Sequence, residues 1–467
     1  MTSSPPLGAH IPLDRESRVP LHRQIYDGFR RAVHEGWLQP GQRVPSTRAL
    51  AAELGVSRFP VLTAYELLLG DGCFEGRVGA GTYVSPARPS TPSVPPLPRP
   101  RDEADLGPFR VSLPALDRFP HARWARLVAR HARAPDPAHM AYGDPAGVER
   151  LRSAIASHVR STRAVRCDAD QVLVVSGSQA ALRVVAAALL APRDVVAVEE
   201  PGYSGAHAAL GAGGPRLLRV PVDDGGLDVA TLDRHDADIR AVYVTPSHQY
   251  PLGVPLTPAR RRELLEWADR REAWVLEDDY DSDYWFGGTP LGAIQGMDGG
   301  ERVVYIGTFS KVLFPGLRLG YLIVPRTLRD RAARAREALD LFSPPLQQLA
   351  LADFILEGHL ARHLRRMHPL YRARRQALLD SLARECPGLS VVPAAAGLHV
   401  TALFAEHLDD GTVVRRMAEC GLTATPLSAC YSGARARSGL LLGFGGFTEA
   451  QIVDAAGRLG WILRELG

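Results

Sequence analysis

The sequence of 467 residues contains no asparagine, and Lys311 is the only lysine among its 55 basic residues. The other basic residues are arginines, so arginine supplies the positive charge wherever a solvated cation is sufficient. Arginine cannot lose its proton in a protein, whereas a lysine amine can act as a nucleophile and form a Schiff base. The single lysine is therefore the first candidate for a covalent role.

Further absences exclude several classes of protein. No apolar run approaches the roughly 18 residues that a membrane-spanning helix needs. The first residues have neither an apolar core nor a cleavage pattern, so we expect no secretory signal. The net charge of +4 is mild. Five scattered cysteines without a C-x-x-C pair argue against a disulfide framework or a zinc site and favour the reducing cytoplasm: Cys73, Cys167, Cys386, Cys420 and Cys430.

Proline marks a division of the chain. Seven of the sixteen residues in 85–100 are proline, a composition that favours an extended, semi-rigid spacer. The sequence thus predicts a front domain over residues 12–85, a linker over 86–108 and a back domain over 109–467. Within the back domain we predict a large subdomain of about residues 140–340 and a small one of about 341–467.

The front domain has the pattern of three helices followed by a hairpin. Apolar residues four apart predict a helix over 21–35, and further helices are predicted over 46–54 and from Ser57 through YELLLGDG. Pro60 lies in the first turn of the third helix, where its missing N–H is harmless. The segment CFEGRVGAGTYVS alternates around glycines and predicts a two-stranded wing. This spacing places the start of the third helix in a DNA major groove.

Charge does not decide between a DNA-binding module and a small helical dimerisation module. Residues 1–85 hold nine arginines and eight acidic residues, so the interpretation depends on placement. Residues 21–84 resemble the winged helix of GntR-type transcription regulators, although Phe59 and Pro60 stand where that family usually carries polar residues. The resemblance implies that the operator is read by Arg43, Arg48, Ser57, Arg58, Arg77 and the wing around Gly79.

The back domain alternates short apolar runs with helical stretches. Runs that are apolar on both faces predict a buried, largely parallel sheet in an α/β domain, and the long helices after residue 340 predict a smaller α+β part. The predicted strands are QVLVVSG, DVVAVEE, IRAVYVTP, AWVLEDD, RVVYIGT and LGYLIVP.

Three predicted strands are followed by polar residues with distinct chemistry. SGSQAAL (176–182) places free N–H groups at a helix N-terminus, which favours an anion. VLEDDYDS (275–282) ends with adjacent carboxylates, and without a third ligand at suitable spacing these favour a cationic ring nitrogen over a metal. YIGTFSKVLFPGLRLGYLIV (305–324) places Lys311 near small hydroxyls and an arginine. A phosphorylated aldehyde cofactor needs this set.

These segments, in this order, resemble the fold-type I aminotransferases from residue 108 to the C-terminus. The resemblance implies pyridoxal 5'-phosphate (PLP) bound as an aldimine to Lys311, with Asp278 paired to the pyridine nitrogen, Tyr280 near the ring oxygen and Tyr203 stacked on the ring. It also implies a homodimer, because Tyr142 matches a tyrosine that reaches the neighbouring subunit's phosphate. The implied phosphate contacts within the subunit are Ser178, Gln179, Thr308, Ser310 and Arg318.

Two positions depart from the aminotransferase pattern. Tyr250 stands where those enzymes place an asparagine against the ring oxygen, which leaves His248 or Gln249 as candidates for that contact. Leu441 stands where they place the arginine that binds the substrate carboxylate. The nearby arginines at 435 and 437 lie outside the matching strand. This second departure argues against amino-acid turnover.

With both domains on one chain, the sequence is similar to the MocR-type regulators, including their PdxR-like subgroup. Three hypotheses compete: a PLP-responsive transcription regulator, an aminotransferase with an accessory DNA-binding domain, and a DNA-binding protein with an empty aminotransferase scaffold. A working aminotransferase should have a carboxylate-binding arginine in the C-terminal strand, and none is there. An empty scaffold should have lost its cofactor residues, and these are present. We therefore expect a cytoplasmic regulator that binds double-stranded operator DNA and responds to PLP itself rather than to an amino-acid-like effector.

Overall fold

The computed structural model describes residues 11, 13–15, 17, 19–34, 36–77, 80–85, 107–235, 237–298, 301–405, 408–433 and 436–466. Most of the predicted linker, Gly79 and Arg435 lie outside these ranges. The chain forms two compact units, residues 1–100 and 101–467, which we describe separately. Within the described ranges, every helix is too short or too polar to cross a membrane.

The first unit has the predicted winged-helix order. Ser46 caps the second helix by accepting a hydrogen bond of 3.2 Å from a backbone N–H, and Gly55 ends it with a φ of 64°. Phe29, Tyr65 and Phe74 pack edge to face and hold the third helix in place. The elements are α1 (Leu21–His34), α2 (Thr47–Leu54), α3 (Arg58–Gly70), β1 (Phe74–Arg77) and β2 (Gly81–Val84).

The second unit is built on an eight-stranded sheet with the order β3-β10-β9-β8-β7-β4-β5-β6. Its central strands are parallel, whereas β10 runs antiparallel to both neighbours and β6 runs antiparallel to β5. The sheet is therefore mixed with a parallel centre. The strands are β3 (Val172–Val175), β4 (Val195–Glu200), β5 (Arg216–Asp223), β6 (Gly226–Leu227), β7 (Ile239–Val244), β8 (Trp274–Asp279), β9 (Val303–Thr308) and β10 (Gly320–Ile323).

Helices cover both faces of this sheet, which explains why its strands are apolar on both sides. Val196 and Leu276 pack into one cluster, while Ala197 and Val275 pack into another on the opposite face. The helices are α4 (His121–Arg133), α5 (Glu149–Arg163), α6 (Ser178–Leu189), α7 (Ser204–Gly211), α8 (Val229–Asp233), α9 (Pro258–Arg270), α10 (Ile294–Asp298), α11 (Arg329–Asp340) and α12 (Pro345–Leu356).

The C-terminal part of the second unit is a four-stranded antiparallel sheet with helices packed on it. The segment before α4 returns to this sheet, since Phe109 pairs with Gly443 and is fully buried. That pairing fixes the backbone that leads to Ser112. The elements are α13 (His359–Glu385), β11 (Ser390–Val391), β12 (His399–Leu403), α14 (Asp410–Glu419), β13 (Thr425–Pro426), β14 (Gly439–Gly443) and α15 (Glu449–Leu466).

Candidate functional site

A cavity of about 200 Å³ lies where the parallel strands of the large sheet end. The carboxyl ends of parallel strands are where α/β proteins usually bind ligands. Nine residues predicted from the sequence line it: Ser178, Gln179, Tyr203, Asp278, Tyr280, Thr308, Ser310, Lys311 and Arg318. Sequence reasoning assigned no cavity role to the other five, which are Ser112, Tyr243, Thr245, Tyr250 and Pro315.

Lys311 follows β9 by three residues, and its amine faces the cavity. Its Nζ donates a hydrogen bond of 3.3 Å to the backbone carbonyl of Ser112. Burial lowers the pKa of the amine to about 8; the carboxylates of Asp281 and Asp278 act against this shift, and the charge of Arg110 adds to it. A fraction of the amine is therefore unprotonated near neutral pH, as a nucleophile requires.

The adjacent carboxylates at the end of β8 have different surroundings. Asp279 accepts hydrogen bonds from Arg163 Nε at 2.8 Å and from the Tyr305 hydroxyl at 2.7 Å. Burial alone would raise its pKa, but the contacts with Arg163 and its neighbours hold that pKa below its usual value. Asp278 instead lines the cavity, and burial raises its pKa to about 7. Its Oδ2 accepts from Tyr243 at 2.8 Å, and its Oδ1 has no partner among the described residues.

One end of the cavity is suited to an anion. Helix α6 begins directly after Gly177, which has a φ of 90° and offers the helix no side-chain cap. Arg318 donates a 2.7 Å hydrogen bond to the carbonyl of Ser176, and a Cβ on Gly177 would come within 3.2 Å of Arg318 Nη1. Glycine thus lets the guanidinium lie against the helix N-terminus. With the nearby hydroxyls of Thr308 and Ser310, this arrangement fits a phosphate.

Tyr203 is held at the cavity wall by its neighbours. The side-chain amide of Gln179 donates a hydrogen bond of 3.0 Å to the Tyr203 hydroxyl. A Cβ on Gly205 would lie 2.5 Å from Cζ of the same ring, so the glycine leaves room for the phenol. The ring is available to pack against a planar ligand, and its stacking on PLP stays a prediction.

His248 and Gln249 do not line the cavity, although both were candidates for the ring-oxygen contact. The Tyr280 hydroxyl donates to the backbone carbonyl of His248 at 2.8 Å, and His248 Nδ1 lies 3.0 Å from Asp281 Oδ2. His248 thus supports Tyr280 from behind. Gln249 donates to the backbone carbonyls of Tyr250 at 2.7 Å and Pro201 at 2.8 Å, and so ties its loop to the segment that follows β4. Tyr250 from the same loop does reach the cavity.

Other predicted positions lie away from the cavity. Leu441 is fully buried on β14 in an apolar cluster with Leu252 and Leu427, so this strand presents an aliphatic side chain at that point. Arg437 is exposed. Tyr142 is 88% exposed. Within the described part of the chain, its one aromatic contact is an edge-to-face contact with a phenylalanine ring.

The predicted DNA contacts of the first unit lie on its surface. Arg58 at the start of α3 donates through Nε to Thr47 Oγ1 at 3.1 Å. On the wing, Arg77 pairs with Glu75 at 2.7 Å and lies over the Tyr83 ring at 4.3 Å. Exposed cationic side chains therefore lie at the start of α3 and on the wing. The exposed members of the predicted set are Arg43, Arg48, Ser57, Arg58 and Arg77.

Known proteins combine the same two domains. The family of bacterial regulatory proteins called gntR matches residues 21–84, and the class I and II aminotransferases match residues 118–459. The probable rhizopine catabolism regulatory protein MocR of Rhizobium meliloti is 39% identical, over 93% of this chain and 92% of that protein. The chain belongs to the MocR-type regulators. The pyridoxine biosynthesis transcriptional regulator PdxR of Corynebacterium glutamicum is 33% identical to this chain, over 98% of this chain and 97% of PdxR.

Solved structures agree with the fold of the second unit. The α-aminoadipate aminotransferase LysN of Thermus thermophilus superposes with a TM-score of 0.72 at 28% identity, covering 77% of this chain and 92% of that one. The kynurenine aminotransferase of Pyrococcus horikoshii gives a TM-score of 0.71 at 26% identity, covering 76% and 89%. This MocR-type transcription regulator thus joins a GntR DNA-binding domain to a fold-type I aminotransferase-like domain, which confirms the predicted fold class.

Proposed function

We propose that this MocR-type regulator binds PLP in the cavity around Lys311 and converts cofactor binding into a change of operator affinity. The observation that carries the proposal is that Asp278 Oδ1, which has no hydrogen-bond partner among the described residues, lies in the same cavity as the only lysine of the chain. An acceptor for a cationic ring nitrogen and a nucleophilic amine are thereby combined. When bound, the cofactor supplies an aldehyde with which a lysine amine reacts.

The side chains around the cavity divide the work of holding the cofactor. Asp278, oriented by Tyr243, would hold the ring nitrogen, and Tyr280, which donates to the His248 carbonyl, would lie near the ring oxygen. Tyr203 supplies an aromatic wall for the ring. The residues that would hold the phosphate are Ser178, Gln179, Thr308, Ser310 and Arg318.

The effector of this proposal is PLP itself. A site that recognises an amino acid has to bind its carboxylate, for which a bidentate arginine is the usual device. Leu441 is buried among aliphatic side chains at the place where aminotransferases have that arginine, and Arg437 is exposed. We therefore infer a regulator rather than an enzyme. To act as a switch, the cofactor has to bind two conformations with different affinity.

We further infer a homodimer that acts on double-stranded DNA in the cytoplasm. The high exposure of Tyr142 supports a role for this side chain toward a second copy of the chain, at the neighbouring phosphate. The exposed arginines around α3 support contact with the operator, because cations at these positions can reach phosphates and base edges. The Tyr142→Phe variant tests this role. Visible absorbance after dialysis shows whether the hydroxyl affects cofactor retention, and sedimentation shows whether the oligomeric state is unchanged.

Cofactor binding is tested by comparing PLP with pyridoxal, which has the aldehyde but lacks the phosphate. Apo-protein is loaded with each compound, dialysed, and examined for visible absorbance. We expect PLP to be retained and pyridoxal to be lost, because only PLP engages Arg318 and the N-terminus of α6. Loss of both compounds would contradict the proposed site, and equal retention would contradict the assigned phosphate contacts.

A further inference from the structure

An aromatic side chain at the N-terminal end of helix α3 lies outside the hydrophobic core of the first unit. Phe59, the second residue of α3, is 75% exposed, more than any other large apolar side chain in the described part of the first unit. The buried side of the same helix is formed by Val61, Ala64, Tyr65 and Leu68. Since Phe59 lies on the other side, its ring contributes little to the core and is free to contact a partner.

The neighbours of Phe59 leave its ring as the projecting group. Arg58 Nε is tied to Thr47 Oγ1 at 3.1 Å, which directs that guanidinium back toward α2. Leu62, one turn further along α3, is 38% exposed and extends the apolar surface. In a helix-turn-helix, the N-terminal residues of the second helix of the motif contact base edges in the major groove. Phe59 and Leu62 thus form an exposed apolar stripe at the N-terminal end of α3, the part that helix-turn-helix proteins place in the major groove.

We propose that Phe59 reads the C5-methyl group of a thymine in each operator half-site. A phenyl ring has no hydrogen-bonding group, so it cannot recognise the polar edge of a base. The thymine methyl is the apolar group that the major groove presents, and phenylalanine is among the side chains that contact it. The proposal rests on DNA binding by the GntR domain and, for its two half-sites, on the homodimer inferred above; it does not depend on cofactor binding by the second unit.

The first test is selection of operators from a random DNA duplex library by the full-length, PLP-treated chain. Wild-type protein should enrich sequences with a thymine at one fixed position of each half-site. Phe59→Ala should enrich related sequences in which that position has lost its preference. A wild-type pool without a conserved thymine, or without any enriched sequence, would overturn the proposal.

The second test removes only the methyl group, by replacing the selected thymidine with deoxyuridine. Because one buried methyl is worth about 0.8 kcal/mol, wild-type affinity should fall about fourfold. Phe59→Ala should bind both duplexes equally. Leu69→Ala is the matched control: this leucine is 40% exposed on the same helix, ten residues and about 15 Å away, and its loss should leave the fourfold difference intact.

Two results would overturn the assignment of Phe59 directly. Equal binding of the thymidine and deoxyuridine duplexes by wild-type protein would show that no methyl is read, and this comparison needs no variant. A full fourfold discrimination that survives in Phe59→Ala would show that another side chain reads the methyl. Thermal unfolding of Phe59→Ala should match that of the wild type, because the ring is largely exposed.

Discussion

The cavity around Lys311 and the predicted DNA-binding face differ in how their charges are exposed to water. In the cavity, Lys311 and Asp278 are surrounded by protein, and burial moves both of their pKa values toward neutrality. Around α3, the arginines at 43, 48, 58 and 77 are exposed to solvent. The first region holds a few charges away from water, whereas the second presents several exposed charges that salt can screen.

Substitutions in the two regions should therefore differ in the size of their effects and in whether those effects depend on pH or on salt. A buried charge is costly without a partner, so changes in the cavity should have large effects that depend on pH. An exposed arginine exchanges water and counterions for DNA phosphate, so changes around α3 should be smaller and should depend on salt.

The largest effect is expected for Lys311→Ala. This variant should lose covalent attachment of PLP completely, because the chain contains no second lysine that could replace it. Visible absorbance before and after dialysis measures the loss. Salt should not restore the attachment, since the variant has no lysine amine with which the aldehyde could react. Unchanged absorbance after dialysis would contradict the assignment.

Asp279→Asn should destabilise the folded protein by about 3–5 kcal/mol, because it leaves the buried Arg163 without its carboxylate partner. Denaturant unfolding of the apo-protein measures this change. The neighbouring Asp278→Asn is the control, since Asp278 has no such ion pair among the described residues and should preserve most of the stability. Similar losses in both variants would contradict the separate roles of the two carboxylates.

The same Asp278→Asn variant should bind PLP more weakly. Losing a charge-assisted hydrogen bond costs about 1.5–3 kcal/mol, which corresponds to roughly a tenfold to hundredfold loss of affinity. Titration of apo-protein with PLP, followed by absorbance, gives the affinity. Wild-type affinity in this variant would remove Asp278 from the cofactor site.

Arg58→Ala should weaken operator binding by about 1–3 kcal/mol if the guanidinium leaves Thr47 and reads a base edge. If Arg48 contacts a phosphate rather than a base, Arg48→Ala should instead reduce the dependence of affinity on salt for all sequences alike. Binding assays at several salt concentrations distinguish the two. An Arg58→Ala variant that binds as tightly as the parent shows that Arg58 is not a reader.

The smallest effect is a shift of pH dependence at Lys311. The free amine is the reactive form, so the rate of PLP attachment should rise with pH and level off above about 8. Asp281→Asn removes a charge that raises this pKa and should move the midpoint to lower pH, whereas Arg110→Met should move it to higher pH. We expect shifts below about one unit. Identical profiles in both variants would contradict this account of the charges.

Much of this organisation was predictable because local patterns specify it. The six apolar runs predicted as strands all lie in the large sheet, and the only lysine lies in the cavity. Strand β5 was missed because its sequence, RLLRVPVD, contains arginines and a proline and is only partly buried. It lies toward the β6 edge of the sheet, where polar residues can face solvent.

The remaining cavity residues could not be predicted because the topology brings together distant segments. Ser112 precedes Lys311 by 199 residues and reaches it through the pairing of Phe109 with Gly443. Tyr243 stands within an apolar strand and has the sequence pattern of a core residue, yet its hydroxyl binds Asp278. His248, a candidate for the ring-oxygen contact, accepts a hydrogen bond from Tyr280 and is not among the residues that line the cavity, so its contact with the cofactor stays a prediction.

The most direct test of the central claim is the operator affinity of the apo-protein compared with that of the PLP-loaded protein at one salt concentration. We predict that PLP changes this affinity by about fivefold or more, as a coupling energy of at least about 1 kcal/mol requires. We also predict that a panel of amino acids adds no further change. Equal affinity with and without PLP, together with a response to one amino acid, would contradict the account and identify the second unit as an amino-acid sensor.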